Sequence, residues 1–172
     1  MTRIATFAGA SLDVSRPSIW KQVHEIRSND TRLGSLTFTK LLRREAVAEC
    51  DEGSWTIGQE GVWKPNVYVK KTDSGESVVE FPVRLFKHTF TFTLPGRARE
   101  TVSLNRNFLA TTFSLTGAMN RPLASLTLKP FALSSGTLTI GPRAGDYEEL
   151  PWLVFLLWYY GIMTRKSRSH SH

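Results

Sequence analysis

The chain has 172 residues, 41% hydrophobic and 22% charged, a composition that suits one globular domain and excludes wholesale disorder. Its formal net charge is +7, so an anionic partner, either nucleic acid or a lipid surface, has to be weighed. One cysteine, Cys50, excludes an intramolecular disulfide and any Cys-based zinc pattern, and together with the absence of an early apolar run it predicts a cytoplasmic protein.

Residues 1–18 are read as an N-terminal segment ahead of the domain. From Trp20 to Ile140 the dominant signal is period-two alternation of β-branched and aromatic residues, broken by Gly, Asn, Asp and Pro clusters. The predicted strands, in chain order, are Ile19 to Ile26, Leu33 to Phe38, Leu42 to Glu49, Ser54 to Gln59, Val67 to Lys70, Val78 to Leu85, His88 to Leu94, Thr101 to Leu104, Leu109 to Leu115, Leu123 to Leu128 and Thr137 to Ile140. Between them, Ser28-Asn29-Asp30-Thr31, Asp51-Glu52-Gly53, Thr72-Asp73-Ser74-Gly75, Pro95-Gly96 and Thr116-Gly117 supply hairpin turns. Alternation is cleanest in Ser54-Trp55-Thr56-Ile57 and in Thr89-Phe90-Thr91-Phe92-Thr93-Leu94, which places Trp55 with Ile57, and Phe90 with Phe92 and Leu94, toward a shared apolar interior.

Leu150 to Met163 then runs without a charge. As a helix it is apolar on every side and must be surrounded by lipid or by protein. It would extend about 21 Å, short of the ~30 Å hydrocarbon core of a bilayer. Glu148 and Glu149 before it and Arg165 with Lys166 after it complement the helix macrodipole, and Pro151 suits its first turn. A sandwich cannot cover all faces of such a helix. A closed antiparallel β-barrel of about a dozen strands, wider than the eight-stranded kind that its own side chains fill, can hold it along its axis. The mainly-β fold predicted is therefore a barrel over 19–164 around a central helix at about 150–164. Residues 165–172 are read as a basic, disordered tail.

Three stretches resemble the tubby C-terminal-like fold of tubby proteins, phospholipid scramblases and plant LURP-one-related proteins. The first is Leu42-Arg43-Arg44-Glu45-Ala46-Val47-Ala48-Glu49 with Asp51-Glu52-Gly53-Ser54-Trp55-Thr56, a basic-apolar strand, a Gly turn and a strand opening with Trp. The second runs from Pro95-Gly96-Arg97 through Asn107-Phe108 to Phe113-Ser114-Leu115, and the third is the terminal apolar helix. The resemblance implies a barrel threaded by that helix and a non-enzymatic module binding anionic lipid or a protein. It also implies phosphoinositide contacts from basic residues on the barrel's outer surface. Arg97 and Arg99, two apart and so on one side of an extended segment, are the candidate anion or lipid contacts, against the plainer reading of solvent-facing turn residues.

Other chemistries find little in the chain. Asp51-Glu52 and Asp146-Tyr147-Glu148-Glu149 lack the spacing of a calcium loop, and no metal or cofactor is expected. His24 and His88 lie in strands without a Gly-x-Ser-x-Gly elbow, and no glycine-rich phosphate loop opens a helix, so no catalytic residues are assigned. Nucleic acid is disfavoured because the core claims Trp55, Phe90, Phe92, Trp152 and Trp158; Trp20 and Trp63 are less committed, and Trp63-Lys64-Pro65 is positioned to expose a ring. The competing class is a membrane protein with Leu150 to Met163 as a tail anchor flanked by Arg165, Lys166 and Arg168.

Overall fold

A computed structural model describes residues 2–40, 44–84, 87–96, 100–132 and 134–169. Twelve antiparallel strands form one sheet: β1 (Ser11–Ser15), β2 (Val23–Ser28), β3 (Thr31–Lys40), β4 (Glu45–Cys50), β5 (Gly53–Glu60), β6 (Asn66–Lys71), β7 (Ser77–Pro82), β8 (Thr89–Thr93), β9 (Thr101–Arg106), β10 (Thr112–Thr116), β11 (Pro122–Leu128) and β12 (Gly136–Ile140). Each strand lies beside its neighbours in sequence, and β1 pairs with β12. The sheet thus curls into a nearly closed up-and-down barrel whose seam falls between β7 and β8. Phe81 of β7 and Phe92 of β8 stack across that seam with ring centroids 4.8 Å apart.

The helix α1 (Leu150–Ser169) runs inside the barrel. Every residue from Leu150 to Ile162 is buried, which satisfies the all-round apolar sequence with strand side chains instead of lipid. Leu12, Leu36, Ile57, Leu104, Leu115, Leu126 and Leu138 are among the inward residues that meet it. Gly34 of β3 lets the helix approach closely: a Cβ there would fall 2.7 Å from the Phe155 ring and 2.8 Å from the Glu49 carbonyl oxygen. Trp158, fully buried, donates its indole N–H to the Ser134 carbonyl oxygen at 3.3 Å. No helix of the described residues is long and apolar enough to cross a membrane.

Several boundaries differ from the sequence expectation, each for a local reason. The 1–18 segment supplies a strand, since Leu12 and Val14 of β1 point inward while Ser11 and Asp13 face out, and it also supplies a short 3-10 turn, Ile4–Phe7, that buries Ile4. The expected strand from Ile19 begins only at Val23, because the Arg16 guanidinium gathers the carbonyl oxygens of Ser18, Ile19 and Lys21 at 3.1, 2.5 and 2.9 Å and folds 16–22 into a loop. The strand expected from Leu109 begins at Thr112. There the Asn107 side-chain oxygen accepts the N–H groups of Thr111 and Thr112 at 2.9 and 3.0 Å, holding a tight turn in which Ala110 has φ 53°. The helix also outruns its expected end: it continues to Ser169, and Arg165, assigned to the disordered tail, donates to the carbonyl oxygens of Lys129 and Ala132 at 2.7 and 2.5 Å. The expected strand starts at Leu42 and the end at Leu85 lie outside the described residues.

Candidate functional site: a cationic cleft at one mouth of the barrel

An up-and-down barrel sends alternate connections to opposite ends. One end carries the connections β1–β2, β3–β4, β5–β6, β7–β8, β9–β10 and β11–β12, and the helix arrives there with its C-terminal turns. The other end carries the remaining hairpins, the β12–α1 connection and the N-terminal turn. Charge separates the two. The six connections of the first end include Arg16, Lys21, Lys64, Arg84, Lys87 and Lys129 and contain no Asp or Glu. Arg165, Lys166 and Arg168 of α1 add to them.

At the opposite end, Asp30, Asp51, Glu52, Asp73 and Glu76 occupy the hairpin tips, and Asp146-Tyr147-Glu148-Glu149 leads into the helix. Arg3, Arg121 and Arg143 are the described cations there outside the strands. Two of the carboxylates have structural tasks: Asp51 and Glu52 accept the backbone N–H groups of Thr2 and Ile4 at 2.8 and 2.5 Å, pinning the N-terminal turn under the helix start. Glu100 accepts the Tyr147 hydroxyl. The negative groups stand at the positive pole of the helix and the positive groups at its negative pole, the favourable arrangement for the macrodipole.

At the basic end a cleft of about 450 Å³ opens between the last turns of α1 and the barrel wall. Its cations are Arg44, Arg84, Arg106 and Arg168, joined by His88. Its apolar lining comes from Val67, Val83, Phe108, Tyr159, Tyr160 and Met163, and no carboxylate lines it among the described residues. A second hollow of about 730 Å³ shares Arg44, Gln59, Val83 and Arg84 and continues outward under the β5–β6 loop, past Trp63 and Lys64.

Local bonding orients this lining. The Tyr159 hydroxyl donates to the Arg44 carbonyl oxygen, which fixes the backbone from which the Arg44 side chain projects. The Arg44 guanidinium in turn reaches the Gln59 side-chain oxygen at 3.4 Å. Arg168 donates to the Phe108 carbonyl oxygen at 2.8 Å, tying the helix end to the β9–β10 turn. The His88 and Phe108 rings lie 6.2 Å apart. Burial pushes the Tyr159 and Tyr160 hydroxyls above the usual phenol range, so both stay protonated, and the Tyr160 oxygen accepts from the Arg106 guanidinium.

The arrangement suits an amphiphilic anion. Guanidinium groups present planar forks that match phosphate or carboxylate oxygens, and the aromatic and aliphatic wall beside them accepts an apolar portion. Burial also depresses the pKa of Lys166, with Arg16 adding to the effect, as expected where cations are crowded. Lys166 rests over the Phe38 ring at 4.2 Å.

Of the residues singled out by sequence, Arg97 and Arg99 lie outside the described residues. Trp63 and Trp20 stand free at 95% and 88% exposure, at the basic end. His88 joins the cleft, whereas His24 is buried between Phe38 and Trp158, whose rings meet its edge at 5.4 and 5.7 Å. Cys50 closes β4 at the acidic end, and burial, aided by Glu52, pushes its thiol up to about 12, leaving it unreactive at neutral pH. Among the described residues no group of three or more His, Cys, Asp or Glu side chains is arranged to hold a metal ion. The sequence reading missed Arg84, Arg106 and Arg168 as a set because they come from three separate elements. The linear signal they carry is slight: Arg84 and Arg106 fall at or just after the ends of β7 and β9, and Arg168 in the last turn of the helix.

Comparison of the chain with protein-family models, with curated proteins and with solved structures finds no match to any of them.

Proposed function

We propose that the protein is a non-enzymatic barrel module of the tubby-like class that binds an anionic lipid in the cleft at its basic end. The carrying observation is the lining of that cleft: among the described residues, four arginines and no carboxylate, set beside Val67, Val83, Phe108 and Met163. A lipid headgroup phosphate matches the first set and the adjoining acyl region the second. The class assignment is supported by a twelve-stranded up-and-down barrel wrapped around a buried C-terminal helix, the architecture that the three sequence stretches imply.

The test uses short-chain lipids that dissolve as monomers, so that the cleft is read without a bilayer. Dihexanoyl phosphatidic acid should bind in a calorimetric titration and dihexanoyl phosphatidylcholine should bind far more weakly. Arg84→Ala with Arg168→Ala should weaken the phosphatidic acid about tenfold or more, since charge-assisted hydrogen bonds contribute roughly 1.5–3 kcal/mol each. Equal affinity for both lipids, or an unchanged affinity in the double variant, would sink the assignment.

A further inference from the structure

Seven of the eight large hydrophobic residues that stand exposed among the described residues belong to the basic end: Ile19 and Trp20, Val62 and Trp63, Phe108 and Leu109, and Phe131. The eighth, Met119, lies at the other end. They occupy four different connections, β1–β2, β5–β6, β9–β10 and β11–β12, which are spread around the barrel rim. In each case a cation lies close in sequence: Lys21 beside Trp20, Lys64 beside Trp63, Arg106 just before Phe108, and Lys129 just before Phe131. The two remaining connections at this end have the same composition. Leu41-Leu42 precedes Arg43-Arg44, and Leu85-Phe86 sits between Arg84 and Lys87; these apolar pairs lie outside the described residues.

Burial cannot account for a rim on which four described hairpin tips each carry an exposed apolar residue close to a base. A tip residue such as Trp63, at 95% exposure, does no work in the core, and it sits in a tight loop that opens at Gly61, where φ is +89°. We infer that the rim of the basic end is a membrane-docking face, with the loop tips entering the headgroup region of an anionic bilayer and the barrel axis standing near the membrane normal. The inference rests on the lipid reading of the cleft, which opens inside this rim.

Three features favour a bilayer over other occupants. Charge is complementary, because an anionic leaflet meets an end whose connections hold no acid, while the carboxylates of the hairpins are carried on the far end. The nearest strand carboxylates are Glu45, which accepts the Tyr68 hydroxyl at 2.5 Å, and Glu60. The tips pair aromatic with aliphatic residues, and Ile19, Val62 and Leu109 have no stacking use against nucleobases but add apolar area in a lipid interface. Tryptophan with lysine is the pairing expected at headgroup depth, where the ring is amphipathic and the ammonium stays among phosphates.

The experiment reads depth and orientation. The full chain is mixed with vesicles of phosphatidylcholine and phosphatidylserine in equal parts, some prepared with bromine on the acyl chain near the headgroup. Tryptophan emission should shift to the blue and be quenched by the brominated lipid. Trp20→Ser with Trp63→Ser should abolish the quenching and cut vesicle affinity tenfold or more, while the melting temperature stays unchanged because both rings are exposed. Phosphatidylcholine vesicles should give neither effect. Vesicle binding without quenching, or quenching that survives in the double variant, overturns the docking face. Binding of dihexanoyl phosphatidic acid with no vesicle insertion also overturns it and leaves the cleft assignment standing; insertion without short-chain lipid binding upholds docking and removes the cleft. Retention on single-stranded DNA with no vesicle binding overturns it and gives the face to nucleic acid.

Discussion

His24 shows how a single side chain couples stability to pH in this barrel. It lies at 2% exposure, its ring nitrogens have no hydrogen-bond partner among the described residues, and Phe38 and Trp158 enclose it. Burial, with smaller contributions from Arg16 and Lys166, lowers its pKa to about 4. The unfolded chain takes up the proton near pH 6.5 and the folded one only near 4, so between those values the unfolded state binds more protons and stability falls as the pH falls. The full contribution is present above the unfolded value, and its loss is on the order of 3 kcal/mol by pH 4. Thermal melts of His24→Leu should therefore decline less steeply than wild type between pH 6.5 and 4, and parallel curves would remove His24 as the cause.

Two elements hold the architecture together, the central helix and the seam. Leu156 is fully buried on α1, and Leu156→Asp would place a carboxylate in the barrel interior without a partner. Such a group costs several kcal/mol against a total stability of about 5–15 kcal/mol, so the variant should fail to give soluble folded protein. A folded variant with wild-type melting temperature would contradict the packing described for the helix.

At the seam, β7 and β8 close on each other through side chains, the Phe81–Phe92 stack included, because neither contributes a ladder to the other in the sheet order. Phe92→Ala should cost about 3–5 kcal/mol in urea unfolding. Its double-mutant cycle with Phe81→Ala should return a coupling of about 0.5–1.5 kcal/mol. Additive effects would mean that the two rings are independent and that the seam is closed by other contacts.

Over the whole molecule, the two ends of the barrel differ in sign. The helix fixes that polarity, since its carboxyl end emerges where the basic connections gather and its amino end where the acidic ones do. Binding to anionic vesicles should weaken steadily as salt rises, because at 0.15 M the screening length is about 8 Å and exposed cations on separate loops then act alone. Sedimentation of the protein with phosphatidylserine vesicles over a salt series measures this, and a salt-independent isotherm would show that the apolar tips alone carry the interaction.

The sequence by itself determined the alternation of the strands, the turns between them and the need to enclose Leu150 to Met163, because period-two patterning and an uninterrupted apolar run are properties of adjacent residues. It also marked Trp20 and Trp63 as rings the core does not claim. It could not assign Ile19 or Leu109 to loops, since what turns them outward is the hydrogen bonding of Arg16 and Asn107, a choice that apolar periodicity does not encode. Strand β1 is short, with only Leu12 and Val14 facing inward, and it becomes a strand through pairing with both β2 and β12. The charge polarity was present in the sequence but scattered through it: acidic and basic connections simply take turns along the chain. Only closure of the up-and-down barrel sorts alternate connections onto opposite ends, and only the position of the helix end beside Arg44, Arg84 and Arg106 turns separate cations into one cleft, because distance in space, which the linear order does not hold, decides what an anion can touch.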